Sequence, residues 1–114
     1  MSRFEEFTRF RQKMNARILE RGNLGIKRFF ALDEQAYQPG ALDGKTKELL
    51  GLAASLVLRC DDCVSYHLIQ ARDKGAGSEE IIETLHVALV VGGSIVIPHL
   101  RRAVDFLEEL EAVK

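Results

Sequence analysis

The sequence lacks the features that identify several large classes of protein. Its net charge is only −1, so nothing in the overall charge predicts binding to nucleic acid, to a membrane surface or to an acidic substrate. The least charged segment, 84–98, has 15 residues and contains a glycine pair, whereas a membrane span needs about 20 apolar residues. Charged residues also fill the N-terminal segment MSRFEEFTRFRQK, where a secretory signal peptide would have an apolar run. We therefore expect a cytoplasmic protein that binds neither nucleic acid nor membrane.

Cysteine is scarce as well, since the chain has only Cys60 and Cys63. In a reducing compartment two cysteines are seldom a structural disulfide, and a two-residue gap closes too small a loop to stabilise a fold strongly. The pair therefore favours redox chemistry or metal binding.

The sequence does have enough apolar residues for one core. With 46% hydrophobic residues in a chain of 114, it fits a single domain, 1–114, in a size range where domains usually fold alone. Residues 1–30 hold eight Lys and Arg but only three Asp and Glu. Because these basic residues are dispersed among aromatic ones, we expect a solvated helix face or a subunit contact rather than a nucleic-acid site.

Helical spacing of apolar residues runs through every long segment, and no segment shows a sustained alternation with a period of two. Glycine, asparagine, aspartate, serine and proline residues mark the ends of six predicted helices. These are a helix ending near Gly22 and Asn23; about 24–37; 45–59, capped by Asp43; about 61–74, stopped by Gly75; a helix capped by Ser78 and interrupted at Gly92 and Gly93; and about 98–113. Short connections between such helices predict an all-α bundle of about six helices.

The fifth predicted helix contains the apolar sequence IIETLHVALVV. A helix that is apolar nearly all round is covered on most sides by protein, either its own domain or a neighbouring subunit. We therefore predict a homo-oligomer, and we expect His86 in this helix to be a satisfied core histidine. The glycine pair that follows would let helices approach closely.

The segment RCDDCVSYH could carry chemistry. If Cys60, Cys63 and His67 continue one helix, they lie within about 60° of one another and face one pocket. The helix N-terminus and the imidazole four residues after Cys63 would both favour a thiolate. We predict that Cys63 attacks, that His67 is its base and that Cys60 resolves the oxidised Cys63 as a disulfide. The reverse assignment stays open, because Cys60 lies nearer the helix start and would gain more from the helix dipole. Glu48 begins an apolar helix, where burial would suit it to relay protons, although its place in the first turn is also good capping chemistry.

Two other interpretations stay open on these residues alone. Cys60 and Cys63 could be small buried residues of an ordinary helix. They could also join His67 in a zinc site of a non-catalytic scaffold protein. The fourth ligand would then come from Glu48, His86 or His99. No second pair of ligands accompanies them at a defined spacing, so we predict no metal and no other cofactor.

The complete pattern is Glu48, eleven residues, Cys60, two residues, Cys63, three residues and His67. It resembles the alkylhydroperoxidase AhpD-like branch of the carboxymuconolactone decarboxylase family. The likeness covers roughly 42–105, and its segment GAGSEEIIETL resembles that family's usual entry to the following helix. Residues 1–40 add an N-terminal helix pair.

The resemblance implies an all-helical fold that assembles into trimers or hexamers, with active sites near subunit contacts. It also implies reduction of a small hydroperoxide through a disulfide cycle, with Glu48, Cys60, Cys63 and His67 in the proton-relay and thiol positions and Glu48 serving Cys60. AhpD receives electrons from a lipoyl partner, so the expected reductant is a dithiol or lipoyl-type donor.

Two features separate this chain from AhpD. AhpD is a longer, duplicated chain, and it has a second histidine where this chain has Asp62. Because acids beside a thiol disfavour the thiolate, Asp61 and Asp62 predict slow turnover. The same family also contains lactone decarboxylases, which act on a small lactone acid without a cysteine pair. Retention of both cysteines favours a thiol-dependent peroxidase, and the decarboxylase-type lyase is the alternative.

Overall fold

Helices joined by short connections make up the part of the chain that the computed structural model describes, residues 2–113. They are α1 (Arg3–Arg21), α2 (Leu24–Ala36), α3 (Gly44–Val57), α4 (Asp61–Asp73), α5 (Ser78–Gly92), a short 3₁₀ helix (Ser94–Val96) and α6 (Ile97–Ala112). The six α-helices confirm the predicted all-α class, and residues 2–113 contain no strand. None of the helices described is long and apolar enough to cross a membrane.

The chain divides into two compact units at the loop between α2 and α3, one unit up to Gln38 and the other from Pro39 onward. The boundary lies close to the predicted one between the N-terminal helix pair and the family core. That the two units form one domain stays a prediction.

The first unit consists of α1 and α2. The Ser2 hydroxyl accepts a hydrogen bond from the Glu5 amide (3.1 Å) and the Glu5 carboxylate accepts one from the Ser2 amide (3.0 Å), a capping box that fixes the first turn. Gly22 ends α1, as predicted. Asn23, predicted only as a stop residue of the first helix, caps α2 by accepting from the Ile26 amide (3.0 Å). Neither helix contains a buried residue, so this unit has no core of its own.

The second unit is built around α3, which packs against α4 and α5, while α6 covers α4. Residues 58–60 alone connect α3 to α4, and such a short connection makes the two helices antiparallel neighbours. The core is filled by apolar side chains that are almost fully buried: Leu52, Leu56, Val64, Leu68, Ile81, Leu85, Val96, Phe106 and Leu107.

The helices α3 and α4 end in the same kind of turn. After α3, Arg59 has a φ of +61° and the amide of Cys60 donates to the Ser55 carbonyl (3.0 Å). After α4, Gly75 has a φ of +92° and the next amide donates to the Ala71 carbonyl (2.9 Å). Both are Schellman motifs, in which one left-handed residue lets the chain close back on the last turn of the helix. The first of them places Cys60 at the start of α4.

The glycine pair after α5 has two separate roles. A Cβ atom on Gly92 would lie 2.8 Å from Cγ1 of Val96, so the missing side chain leaves room for Val96. That the glycine pair lets two helices approach closely stays a prediction. Gly93 has a φ of +81°, a conformation that favours glycine.

Two local predictions for α5 were wrong. The N-cap is Gly77 rather than Ser78, because the Glu80 carboxylate accepts a hydrogen bond from the Gly77 amide (2.9 Å). The Ser78 hydroxyl instead hydrogen-bonds the Glu111 carboxylate. His86 is exposed rather than part of the core, because it lies on the side of α5 that faces away from α3.

Candidate active site

The cysteine pair lies at the start of α4. Cys60 and Cys63 form a disulfide with their Cα atoms 5.3 Å apart, so the chain is in an oxidised state. Cys60 is the N-cap and its sulfur accepts a hydrogen bond from the Cys63 amide (3.2 Å). Its backbone is extended, so only Cys63 and His67 share the helix proper, and the condition that all three residues continue one helix is not met. The positive end of the α4 dipole nevertheless points at the Cys60 sulfur.

The two cysteines differ in exposure. Cys63 is exposed, whereas Cys60 is partly covered. An external molecule therefore reaches the Cys63 sulfur more readily, and the helix N-terminus stabilises negative charge on Cys60.

His67, one turn after Cys63 on α4, forms a buried pair with Glu48 of α3. The carboxylate oxygen Oε1 of Glu48 lies 2.8 Å from Nδ1 of His67, and these side chains are 2% and 10% exposed. When the Glu48 carboxylate is ionised it can only accept, and Nδ1 of His67 is then the donor in this contact. The contact with His67 makes Glu48 an orienting partner for the imidazole.

Lys74 is a second partner of Glu48. Its Nζ atom lies 3.5 Å from Oε2 of Glu48, and its aliphatic stem covers Gly44, where a Cβ would lie only 3.1 Å from the lysine carbons. A buried carboxylate needs such partners, because removal from water disfavours the charged form. The sequence analysis missed Lys74. Its position at the C-cap of α4, seven residues after His67, was the available signal.

Asp61, in the first turn of α4, is held by α6. It accepts hydrogen bonds from Nε of Arg102 (2.8 Å) and from Nδ1 of His99 (2.8 Å). Burial raises the pKa of this carboxyl, but the hydrogen bonds from His99 and Arg102 outweigh burial and hold the pKa below its usual value. Because Nδ1 of His99 donates to Asp61, its 3.1 Å approach to Nη2 of Arg102 is proximity rather than a hydrogen bond. These contacts were not predicted from the sequence.

The structure thus joins the four predicted residues as two bonded pairs, Cys60 with Cys63 and Glu48 with His67. The helix α4 holds the pairs together, since Cys63 and His67 are four residues apart on one face. The partner observed for Glu48 is His67, and a relay from Glu48 to Cys60 stays a prediction.

The zinc interpretation requires a further ligand beside Cys60, Cys63 and His67. Within residues 2–113, no three His, Cys, Asp or Glu side chains are grouped so that they could hold a metal ion. Of the two histidines considered as further ligands, His99 bonds Asp61 and His86 is exposed on α5.

Comparison with known proteins identifies the family. The model of the carboxymuconolactone decarboxylase family matches residues 26–106. The chain belongs to this family. The match confirms the family that the sequence pattern resembled, and it begins within α2, so it extends into the N-terminal helix pair.

Several solved structures are similar to this chain over nearly its full length. A crystal structure of a Thermotoga maritima protein is 60% identical, with 96% of each chain covered and a TM-score of 0.94. Another Thermotoga maritima structure, 61% identical with a TM-score of 0.90 and covering 94% of this chain and 91% of that one, is of a carboxymuconolactone decarboxylase family protein with a possible involvement in antioxidative response. A family protein from Legionella pneumophila is 28% identical, with 96% and 97% of the chains covered and a TM-score of 0.86.

Among curated proteins, an uncharacterised protein of the cox locus of Paracoccus denitrificans is 34% identical over 83 residues, or 73% of this chain and 75% of that protein. The family membership therefore rests on sequence as well as on fold.

Proposed function

We propose that this protein is a thiol-dependent hydroperoxide reductase. The observation that carries the proposal is a disulfide at the N-terminus of α4 with the buried His67–Glu48 pair one turn away. This arrangement combines a reversible two-electron couple with a base that is held in one tautomer. The description of the similar Thermotoga maritima protein, a possible involvement in antioxidative response, agrees with it.

In the first step, Nε2 of His67 takes the proton of Cys63, and the thiolate attacks one oxygen of the hydroperoxide. The O–O bond breaks, an S–O bond forms, and the departing alkoxide takes the proton back to leave as an alcohol. Cys63 becomes a sulfenic acid. Glu48 orients His67 and stabilises the imidazolium during this step.

In the second step, the Cys60 thiolate attacks the Cys63 sulfur, the disulfide forms and the sulfenic hydroxyl leaves as water. Its proton comes from the Cys60 thiol, through the His67–Glu48 pair. The thiols have then given two electrons to the peroxide. A dithiol donor, simple or of the lipoyl type, returns both electrons by thiol–disulfide exchange and is itself oxidised to a disulfide.

The difference in exposure supports this division of roles. Cys63 is exposed and lies four residues before His67, so it suits attack on a small external substrate. Cys60 is partly covered and accepts an amide hydrogen bond (3.2 Å), so its sulfur suits the resolving thiolate and, later, the leaving thiolate when the donor attacks Cys63.

The setting of the reaction is also part of the proposal. A reducing compartment such as the cytoplasm would supply the dithiol donor. We propose a homo-oligomer because the outward face of α5 keeps Val87, Val90 and Val91 more than 60% exposed in the single chain. The family resemblance implies that this assembly is a trimer or hexamer.

The proposal is tested by consumption of cumene hydroperoxide with dithiothreitol or dihydrolipoamide as the donor. We expect turnover by the wild type, none above background for Cys63→Ser, and a loss of about 100-fold for His67→Gln, the usual contribution of a general base. A wild type no faster than Cys63→Ser would refute the function.

The roles of the two thiols are tested separately by trapping sulfenic acid with dimedone after one equivalent of peroxide. The Cys60→Ser protein should be labelled and the Cys63→Ser protein should not. The opposite labelling would reverse the roles and leave the peroxidase proposal standing.

A further inference from the structure

Asp61 adjoins both Cys60 and the N-terminus of α4, and the proposed redox chemistry depends on these two features. It follows Cys60 directly, and it occupies the first residue of the helix whose N-terminus faces the Cys60 sulfur. A Cys60 thiolate and an ionised Asp61 would therefore share one helix N-terminus. Like charges on adjacent residues disfavour each other, so an unpaired Asp61 would oppose thiolate formation.

The structure shows that Asp61 is not unpaired. Both of its carboxylate oxygens accept hydrogen bonds from α6, Oδ2 from Nε of Arg102 and Oδ1 from Nδ1 of His99, each at 2.8 Å. The guanidinium carries a full positive charge at any physiological pH. The positive charge of Arg102 therefore offsets the negative charge of the Asp61 carboxylate.

We propose that Arg102, supported by His99, is a positioning residue that holds and neutralises Asp61 so that Cys60 can form a thiolate beside it. The inference rests on the proposed function, because it gives the resolving thiol its charge environment. The lowered pKa of Asp61 agrees with an ionised carboxylate that needs a counter-charge.

The pairing of Asp61 with α6 also bears on the expectation that Asp61 and Asp62 slow turnover. Asp62 is exposed on the same turn, where water screens its charge. Asp61 is the carboxylate next to Cys60, and it is the one that α6 neutralises. The site then has one screened acid and one paired acid, instead of two acids acting on the thiols.

The test is the pH midpoint at which Cys60 ionises, read from thiolate absorbance near 240 nm in reduced Cys63→Ser protein, where Cys60 is the only thiol. Arg102→Leu should raise the midpoint and Asp61→Asn should lower it, each by roughly half a unit to one unit, as expected for one charge at a half-exposed neighbouring site. The double variant should return close to the starting value. A role confined to stability would not move the midpoint in opposite directions.

The matched control is Arg101→Leu, which removes the same charge from the adjacent, exposed residue of α6. It should shift the midpoint much less than Arg102→Leu, and Arg102→Lys should restore most of the wild-type value. Equal shifts for the two leucine variants, or shifts of the same sign for Asp61→Asn and Arg102→Leu, would overturn the proposal. No peroxide enters this titration, so its failure is separate from a failure of the peroxidase function.

Discussion

At the scale of single residues, the layout of the site depends on the buried carboxylate of Glu48. A carboxylate that is 2% exposed is unfavourable unless other groups bond both of its oxygens. His67 bonds one oxygen at 2.8 Å and Lys74 approaches the other at 3.5 Å. The imidazole is therefore held on one side of Glu48, and the lysine compensates charge on the other.

Replacing Lys74 with methionine should lower the free energy of unfolding by about 1 kcal/mol. The methionine keeps an aliphatic stem beside Gly44, so the main loss is the ammonium partner of Glu48. The magnitude is modest because the lysine side chain is 36% exposed and water screens the pair. Urea unfolding followed by circular dichroism at pH 7 measures the change.

The Glu48→Gln protein provides the control for Lys74. In that background Lys74→Met should have little effect, since no carboxylate remains to be paired. Lys74→Arg should keep most of the wild-type stability. Equal losses in both backgrounds would mean that the ammonium stabilises the protein by a route other than Glu48.

At the scale of the elements, two helix ends of the same geometry carry different residues. The left-handed position is Gly75 after α4 but Arg59 after α3. A residue with a Cβ atom is less stable than glycine in this conformation. The turn before the cysteine pair is therefore strained relative to the turn at the other end of α4.

Arg59→Gly should raise the free energy of unfolding by about 0.5 to 1 kcal/mol, and Gly75→Ala should lower it by about 1 kcal/mol. Steric crowding does not contribute at Gly75, because a Cβ there would meet nothing within 4 Å. Thermal or urea unfolding of the single variants measures both effects.

Arg59→Ala separates the backbone effect from that of the guanidinium. Alanine keeps the Cβ atom, so this variant should resemble the wild type. If alanine stabilises as much as glycine, the side chain and not the left-handed backbone is the source of the cost, and the prediction is wrong.

Most helix boundaries could be predicted because their signals are local. Asn23, Asp43 and Gly75 each cap or stop a helix through contacts within a few residues. The turn at Arg59 could not be predicted in this way, since arginine gives no left-handed signal. The cap of α5 was misassigned because serine is the stronger intrinsic cap, whereas the Glu80 carboxylate satisfies the backbone of Gly77 instead.

Glu48 could be named from its expected burial and from the family resemblance, but the contacts between residues of different helices could not be predicted. Cys63 and His67 share a face of α4 because they are four residues apart. The bond from Glu48 to His67 spans 19 residues, and the bond from Asp61 to Arg102 spans 41. Such partners depend on how α3 and α6 pack against α4, which the spacing of residues does not specify.

At the scale of the whole molecule, much apolar surface is left uncovered in a single chain. The outward face of α5 includes a shallow apolar depression of about 190 Å³ lined by His86, Val87, Val90 and Val91. In the N-terminal unit, Phe10 and Phe29 are 67% and 68% exposed. Exposed apolar faces such as that of α5 are typical of surfaces that bind protein, and a second copy of the chain is the partner proposed above.

Val90→Asp should weaken this assembly, because the carboxylate would be buried between subunits without a partner. Light scattering after size exclusion should give the mass of a trimer or hexamer for the wild type, and a smaller mass for the variant at low micromolar concentration. Leu42→Asp, at an apolar residue that is 47% exposed in the loop before α3, is the control and should keep the wild-type mass. Dissociation of both variants would argue against α5 as the contact. A wild-type mass of one chain would refute oligomerisation, because the exposed valines would then be stable in water without a partner.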